Sequence, residues 1–576
     1  MGMDSQRLIL FFVFSFSLFL LYDAWQRDQQ AAAPVAKKAR EEPGAQQVSP
    51  PPVVTTDKMA PMQATKPPEG RAAEGRGEIV KIETDLVRAE LSTQGGELRR
   101  LELKHHPDAA DKSKPFVLFQ RQADHTYVAQ SGLIGEYVSE SGQAEKAEVP
   151  NHHALYKAGA LQYELAAGSD ILEVRLEAAG TLGGAKIYRF RRGSYLIDVE
   201  HQVTNSGPRP VRAYGYFQLL RDGKPPVGES AMLPTFLAAA VYTEKEKFQK
   251  LPFPDIEKGK ISYPKSSTDG WVALLQHYFL SAWLPKNGVA REFYIRYLEG
   301  GLYAVGVIVP AGTVASGATV SVTVPLYAGA QEQDKLAKLA PGLDLTVDYG
   351  WLTVIAVPLF WVLAWMYGWT GNWGVAIILL TVLIKLLFYP LSEASYRSMA
   401  RMRVLAPKLQ RLKEQYGEDR QRLQQAMMEL YKTEKINPLG GCLPIVVQIP
   451  VFIALYWVLL ASVELRYAPL GLGIDDLSAA AIISMSPLVL SSFAYFALPL
   501  LMAATMIIQT KLNPEPPDPV QAKVMKIMPI AFSVFFFFFP AGLVLYWLVN
   551  NILSILQQWH INRVLERASA RNPAKS

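Results

Sequence analysis

The hydrophobic positions divide the chain into two kinds of region. Long runs without charge lie near the start and in the last 226 residues, between Trp351 and Trp559. Between about 79 and 340, short runs alternate apolar and polar residues and end at Gly, Pro, Asn or Asp, as in Ile171-Leu-Glu-Val-Arg-Leu-Glu-Ala178. Period-two alternation is typical of half-buried strands, whereas long uncharged runs are typical of transmembrane helices. The pattern predicts a helical membrane core and a large all-β sandwich at 79–340.

The first apolar run, within residues 1–28, is either a cleaved signal peptide or a retained transmembrane anchor. Small residues at 31–33 offer a cleavage site, but three charges separate them from the apolar run. This spacing favours a retained anchor. Residues 29–78 are rich in Pro, Ala and Gln without apolar periodicity, which predicts a disordered periplasmic tether.

The apolar runs after residue 372 predict five core helices in addition to the anchor. The predicted transmembrane segments 2 to 6 are 373–395, 437–463, 496–511, 527–540 and 541–562. The segments between and after them are predicted to be a cytoplasmic helical hairpin (396–436), a periplasmic loop (464–495), a cytoplasmic loop (512–526) and a cytoplasmic tail (563–576).

Residues 341–372 contain an apolar run, Trp351 to Thr370, that is long enough to cross a membrane. Only Gly371 and Asn372 separate it from the next run, so two spans here would place the following basic loop outside the cell. Its four tryptophans suit the membrane interface, and Pro358 interrupts it. We therefore predict a helix on the periplasmic membrane surface.

Most of the net charge of +6 lies in one loop. Residues 396–435 contain ten Lys or Arg and five Asp or Glu. Short basic loops stay in the cytoplasm, so the hairpin, the N-terminus and the C-terminus are predicted to be cytoplasmic. Apolar residues at helical spacing on both sides of Gly417 indicate two helices folded together. The hairpin is then either a solvated charged element or a docking surface for cytoplasmic partners.

Lys385 is the only charged residue between Trp373 and Pro390. A lysine within a spanning helix normally faces protein or water, because its insertion into lipid costs roughly 2.5–3.5 kcal/mol. Polar residues on the predicted helices form stripes that could face it. The candidate groove residues are Lys385, Thr381, Gln448, Tyr456, Thr505, Gln509, Tyr546, Asn550 and Ser554, with Gln558 continuing the last stripe.

Two interpretations of these stripes remain. They converge on a wet, positively charged groove, or they form hydrogen bonds between helices with no cavity. A solute transporter would use a membrane lysine as well, but we find no inverted repeat and no second buried charge. A membrane hydrolase would pair Lys385 with a serine, for which Ser462 and Ser554 are the nearest candidates; neither lies in a nucleophile motif.

No cofactor, metal or catalytic residue is expected. The single cysteine, Cys442, excludes a disulfide within the chain and a thiol cluster. The adjacent pairs His105–His106 and His152–His153 would point to opposite faces of a strand, so we expect surface histidines rather than metal ligands. The sequence has no Walker A loop, and nothing in it indicates recognition of nucleic acid sequence.

Short motifs across the membrane core resemble those of the YidC-type membrane protein insertases, which are related to mitochondrial oxidase-assembly and chloroplast Albino proteins. The motifs are Asn372-Trp-Gly374, Tyr389-Pro-Leu391, Ser398-Met-Ala-Arg-Met402, Val404-Leu-Ala-Pro-Lys408, Asn437-Pro-Leu-Gly-Gly-Cys442, Gln448-Ile-Pro450, Val463-Glu-Leu-Arg466 and Gly542-Leu-Val-Leu-Tyr546. The anchor, tether and sandwich resemble the Gram-negative form of the family. The basic groove residue of the family is usually arginine, and Lys385 matches its position.

The resemblance implies an insertase and chaperone of the bacterial inner membrane, not an enzyme. It implies that the protein inserts and helps fold nascent membrane proteins, alone or with the Sec translocon, by drawing hydrophilic segments into a positively charged groove. Its expected partners are the nascent chains, the Sec translocon, the lipid bilayer, and the ribosome and signal recognition particle receptor at the hairpin. Lysine keeps the charge of the usual arginine but not its paired hydrogen bonds.

Overall fold

The computed structural model describes residue 67 and residues 77–108, 111–122, 124–138, 145–224, 237–417, 419–434, 443–480, 492–512 and 519–571. The predicted anchor, nearly all of the predicted tether, the motif at 437–442 and residues 572–576 lie outside these ranges. The chain divides into two compact units with a boundary between Val347 and Asp348.

The described residues up to Val347 form two β-sheets with two short helices. The larger sheet has eleven strands, namely β1 (Ile79–Glu83), β2 (Val87–Ser92), β3 (Glu97–Pro107), β4 (Pro115–Arg121), β5 (Thr126–Tyr137), β6 (Glu145–Ala147), β8 (Gln162–Glu164), β12 (Val211–Asp222), β15 (Ser266–Ser267), β18 (Arg291–Leu298) and β19 (Leu302–Val314). The nine-stranded sheet contains β7 (Lys157–Ala158), β9 (Ile171–Ala178), β10 (Gly184–Arg191), β11 (Leu196–Thr204), β13 (Ala238–Thr243), β14 (Lys247–Pro252), β16 (Trp271–Gln276), β17 (Phe279–Trp283) and β20 (Thr319–Ala330). The helices are α1 (Phe253–Glu257) and α2 (Gln333–Leu339).

The predicted all-β sandwich is confirmed. Strand order is β15-β18-β19-β12-β5-β4-β3-β2-β1-β8 in one sheet, with β6 beside β5, and β14-β13-β16-β17-β20-β11-β10-β9-β7 in the other. Strands β12 and β19 pack against β16, β17 and β20 of the opposite sheet. The period-two pattern shows which side chains enter the core. Strand β9 alternates exposed and buried residues along its second half, whereas the central strand β5 is buried on both faces.

The interior of the sandwich contains polar residues that bridge the sheets. The Lys186 side chain of β10 is fully buried and donates to the carbonyl oxygens of Gly95 (3.0 Å) and Ser131 (3.2 Å). Burial lowers the pKa of Lys186 to about 7, although Glu97 partly opposes the shift. Glu97 itself forms an ion pair with Arg121 at 2.5 Å, so it does not depend on Lys186 for a partner.

Replacing Lys186 with methionine is expected to stabilise the sandwich. The folded-state pKa lies below that of an unfolded lysine, so the unfolded state binds more protons from about pH 7 to pH 10 and the parent gains stability as pH rises through this window. At pH 7 the variant should gain about 1–3 kcal/mol, since it removes a buried cation. Hydrogen exchange of β10 amides in the full-length protein measures both effects. A parent stability that falls between pH 7 and pH 9 would contradict the assignment.

One prediction about the histidines is wrong. His152 is 1% exposed, and its Nδ1 lies 2.5 Å from the Tyr216 hydroxyl, which also accepts the His152 backbone N–H at 2.9 Å. The pair His152–His153 lies in a turn rather than a strand, so the two rings lie 4.0 Å apart instead of on opposite faces. Among the described residues, no group of three His, Cys, Asp or Glu side chains is arranged to hold a metal ion.

The described residues from Asp348 onward form a bundle of long helices. These are α3 (Thr353–Thr370), α4 (Trp373–Leu387), α5 (Tyr389–Tyr416), α6 (Arg420–Thr433), α7 (Leu443–Ala461), α8 (Ser492–Leu512), α9 (Pro519–Phe536) and α10 (Ala541–Arg571). Helix α10 packs against α4, α5, α7 and α8, and α6 packs against α5. Helix α10 is therefore the centre of the bundle.

Two of the helical stretches in the described residues are long and apolar enough to cross a membrane, at Gly350–Thr370 and Phe493–Leu512. A third span exists if α4 and the first part of α5 count as one bent segment; the bend is 65°. The break falls at Phe388, inside the predicted segment 373–395. Pro390 has no backbone N–H to donate to the preceding turn, so it begins a new helix rather than continuing α4.

Contacts along α10 show whether each neighbouring helix runs parallel or antiparallel to it. Lys385 of α4 contacts Ser554, and Ile377 lies at Gly542, so residue numbers rise together and the two helices are parallel. Helix α8 is also parallel to α10, because Thr505 contacts Asn551 and Leu512 contacts Gln558. Helix α7 runs the opposite way, since Gln448 contacts Asn550 whereas Phe452 contacts Trp547.

Both ends of α3 lie at the same end of the bundle. Near its start, the Tyr349 hydroxyl lies 3.2 Å from that of Ser462, which follows the last residue of α7. Near its end, Tyr367 stacks on Trp373, the first residue of α4, with ring centroids 4.2 Å apart. Because α4 and α7 are antiparallel, Trp373 and Ser462 mark one end of the bundle. Helix α3 therefore crosses that end instead of running beside α4 along its length.

Candidate functional site

The centre of the candidate site is a hydrogen bond between helices α4 and α10. Lys385 Nζ donates to Ser554 Oγ at 2.7 Å, and the Ser554 hydroxyl donates in turn to the backbone carbonyl oxygen of Asn550 at 2.7 Å. Lys385 is half-buried and Ser554 is 3% exposed. An ammonium group has three N–H donors, of which this bond uses one. Two helices thus hold a positive charge at a fixed position inside the bundle.

Helix α7 supplies the second part of the same network. Gln448 Nε2 donates to Asn550 Oδ1 at 2.6 Å and to the Tyr546 hydroxyl at 3.3 Å. Asn550 therefore joins both parts, because its side chain accepts from Gln448 and its main-chain oxygen accepts from Ser554. We call Lys385, Gln448, Tyr546, Asn550 and Ser554 the polar cluster. All five were candidate residues, and the structure brings them together.

Helical geometry explains how one stripe on α10 reaches several neighbours. Residues four apart turn by about 400°, so each step drifts by about 40° around the helix axis. Tyr546 and Asn550 meet α7, Ser554 meets α4, and Gln558 donates to the main-chain oxygen of Leu512 on α8. The stripe is therefore a shallow spiral rather than one flat face.

A residue outside the predicted set shares the α8 side of this spiral. Asn551 is 3% exposed and donates to Thr505 Oγ1 at 3.3 Å. Asn551 and Gln558 are seven residues apart, two turns of helix, and so face the same neighbour. The i, i+7 spacing on α10 indicates the pair Asn551 and Gln558, whereas the i, i+4 spacing that predicts the stripe includes Asn550 and omits Asn551.

The remaining candidates lie outside the polar cluster. Thr381 is fully buried, and its hydroxyl donates to the carbonyl oxygen of Ile377 on its own helix at 2.7 Å. Tyr456 lies edge-on to Phe539, with centroids 5.7 Å apart. The Thr505 hydroxyl donates to Met502 O besides accepting from Asn551, and Gln509 is half-buried on α8.

The arrangement around Lys385 differs from a Ser/Lys hydrolase. In such an enzyme the neutral lysine accepts the serine proton. Here the lysine donates to Ser554, and Ser554 donates to a main-chain oxygen of its own helix. The other serine considered, Ser462, contacts Tyr349. The geometry positions a charge rather than activating a nucleophile.

The fold and the cluster together define a membrane protein in which a helical bundle with a lysine at its centre follows a large β-sandwich. Two families of known proteins match this chain in sequence. Residues 79–362 match the family described as the YidC periplasmic domain, and residues 365–568 match the family described as the 60Kd inner membrane protein.

Curated relatives match the whole chain. Membrane protein insertase YidC of Nitrosospira multiformis is 52% identical over 100% of this chain and 99% of the relative. The protein of the same name from Methylobacillus flagellatus is 54% identical over 99% of both chains. Among solved structures, an active YidC insertase with its first transmembrane domain resolved covers 83% of this chain and 94% of its own, with a TM-score of 0.38 and 18% identity.

The chain belongs to the YidC family of membrane protein insertases. It is therefore a multi-pass inner-membrane protein with a periplasmic β-sandwich, it acts as an insertase on membrane proteins, and it is not an enzyme.

Proposed function

We propose that the polar cluster is the part of this insertase that receives hydrophilic segments of nascent membrane proteins. Lys385 supplies a positive charge that attracts acidic side chains and main-chain carbonyl oxygens. The charge is stabilised in the membrane because Lys385 donates a hydrogen bond to Ser554, and the Ser554 hydroxyl donates to the main-chain oxygen of Asn550. The apolar helices of the substrate then pass sideways into lipid while the hydrophilic segment crosses.

One observation carries the proposal: the 2.7 Å hydrogen bond from Lys385 to Ser554, within a network that reaches Gln448 on a third helix. Unsatisfied polar groups are costly in a membrane, so polar side chains collected from three helices favour a hydrated site over a lipid-facing one. An insertase needs such a site, because its substrates carry polar segments across an apolar layer.

The proposed topology has five core helices besides the anchor, with the N-terminus, the C-terminus and the α5–α6 hairpin in the cytoplasm. The directions of α4, α7, α8 and α10 support it, because α7 runs opposite to the other three helices, as the proposed topology requires. Helix α3 is proposed to lie on the periplasmic surface. Its two ends at one end of the bundle support this position, as does the exposure of Trp361 (67%) and Trp369 (76%).

The hairpin is proposed to meet cytoplasmic partners, namely the ribosome and the signal recognition particle receptor, and the protein to work alone or beside the Sec translocon. Helix α5 packs against both α10 and α6. A partner at the hairpin would therefore contact α5, which directly follows α4, the helix that contains Lys385. An ion pair between Lys408 and Glu434 at 2.6 Å joins α5 to the end of α6.

Site-specific photocrosslinking tests the proposal. We expect a photoreactive residue at position 448 or 550 to crosslink to a stalled nascent chain. A photoreactive residue at the exposed position Leu500 of α8 should crosslink at most weakly to the hydrophilic segment of that chain. The probe at 550 is decisive, because Asn550 joins both parts of the cluster. Absence of a crosslink at both 448 and 550, with a functional protein, would show that substrates take another path.

A further inference from the structure

The loop formed by residues 463–480 covers one end of the bundle. It follows α7 and contacts three other helices. Asn372, just before α4, donates from Nδ2 to the carbonyl oxygen of Leu470 at 3.2 Å. The backbone N–H of Gly542 in α10 donates to the carbonyl oxygen of Leu477 at 2.8 Å. Leu465, Ile474 and Leu477 are at most 3% exposed, so the loop fills the end of the bundle with apolar side chains.

Tyr495 of α8 fastens this loop. Its hydroxyl accepts the backbone N–H groups of Asp475 (3.1 Å) and Asp476 (2.7 Å) and donates to the Asp476 carbonyl oxygen (3.1 Å). The Asp476 carboxylate is 4% exposed and folds the loop internally by accepting from the Tyr467 N–H and from Ser478. One side chain of α8 thus binds three main-chain groups of two consecutive loop residues.

The loop is held in a strained conformation. Four residues other than glycine have positive φ angles in the described part of the chain, and two of them, Tyr467 and Leu472, lie in this loop with φ of 57°. Such backbone angles persist where surrounding contacts hold them. The contacts that hold the loop therefore offset a cost in backbone conformation.

The distance from the polar cluster to the loop follows from two parallel helices. Lys385 is twelve residues from Trp373, and Ser554 is twelve residues from Gly542, so each helix places the cluster about 18 Å from the covered end. Helix α3 crosses the same end, which is the periplasmic side in the proposed topology. A hydrophilic segment that reaches Lys385 therefore still has this loop ahead of it.

We infer that the 463–480 loop is a lid that must release from α8 and α10 before a hydrophilic segment can leave the bundle on the periplasmic side. The inference rests on the proposed function of the polar cluster. The closed lid keeps the bundle sealed when no substrate is present, and Tyr495 sets how readily the lid opens.

A disulfide between the lid and α10 tests this inference. A Cβ on Gly542 would lie 3.5 Å from the Cβ of Leu477, which is within the separation of disulfide-bonded cysteines. We would introduce Gly542→Cys and Leu477→Cys in a full-length protein carrying Cys442→Ala, and reconstitute it in proteoliposomes. The oxidised protein is expected to insert a single-span substrate with a translocated hydrophilic segment at least tenfold more slowly than the reduced protein. Equal rates in both states would overturn the lid.

The controls separate this inference from the proposed function. Each single-cysteine variant should respond to oxidation like the parent. Crosslinking from position 550 to a stalled chain should persist in the oxidised protein; its absence in the reduced parent would instead count against the polar cluster.

If the reduced double variant is inactive, the variant Tyr495→Phe tests the lid instead, because it removes only the hydroxyl that binds the loop. Hydrogen exchange of the lid amides should then rise at least tenfold while insertion is retained. Unchanged exchange would overturn the assigned role of Tyr495 and with it the lid.

Discussion

Replacing Lys385 with glutamate is expected to abolish growth of cells depleted of the native protein, whereas Lys385→Arg is expected to support it. Glutamate reverses the charge that the substrate's acidic side chains and carbonyl oxygens meet, while arginine keeps it. Ser554 Oγ, the acceptor for Lys385, can accept from a guanidinium N–H as well. Growth on depletion, with membrane levels of each variant checked by immunoblot, measures the effect. Growth with Lys385→Glu at normal levels would contradict a role for positive charge.

The arginine variant distinguishes charge from geometry. A guanidinium group binds a carboxylate through two parallel hydrogen bonds, and an ammonium group does not. Because this chain carries lysine, charge alone should be sufficient, and Lys385→Arg should differ from the parent by less than about threefold in insertion rate. A large gain with arginine would show that paired hydrogen bonds limit the native protein.

The second large effect is expected from making the rest of the cluster apolar. The double variant Gln448→Met with Asn550→Leu keeps side-chain size but removes the hydrogen bonds that connect α7 to α10. A polar substrate segment then loses partners, and each lost hydrogen bond in a buried site costs about 1–3 kcal/mol. Since 1.4 kcal/mol corresponds to about a factor of ten, insertion should slow by at least tenfold.

Thr381→Val provides the matched control for that variant. The Thr381 hydroxyl is bound to its own helix at Ile377, so its removal leaves the cluster intact. Insertion by this variant should stay within about twofold of the parent. If Thr381→Val slows insertion as much as the double variant does, polarity anywhere in the bundle matters and the cluster has no special role.

The sequence predicted the parts of the fold that depend on local periodicity. Alternation along β9 and its neighbours indicated the sandwich, and the uncharged runs indicated the membrane core. Lys385 could be identified because a charged side chain in an apolar run costs free energy in lipid, whichever helices surround it. The four-residue spacing on α10 correctly grouped Tyr546, Asn550 and Ser554, because that spacing keeps residues on neighbouring faces of a helix.

Other features depend on packing between distant segments and leave little trace in a single sequence. Nothing local to His152 or Lys186 shows that they are buried, where Tyr216 binds His152 and two main-chain oxygens bind Lys186. Tyr495 meets Asp476 only because α8 and the 463–480 loop fold together. The break at Phe388 was missed because the apolar run continues through it, although Pro390 marks it.

The central claim is that a positive charge within a polar cluster moves hydrophilic segments across the membrane. Its most direct test is the initial rate at which purified protein in proteoliposomes inserts one single-span substrate, compared between the parent and Lys385→Ala. We expect the variant to be at least tenfold slower, with the parent rate restored by Lys385→Arg. An equal rate for the parent and Lys385→Ala would contradict the claim.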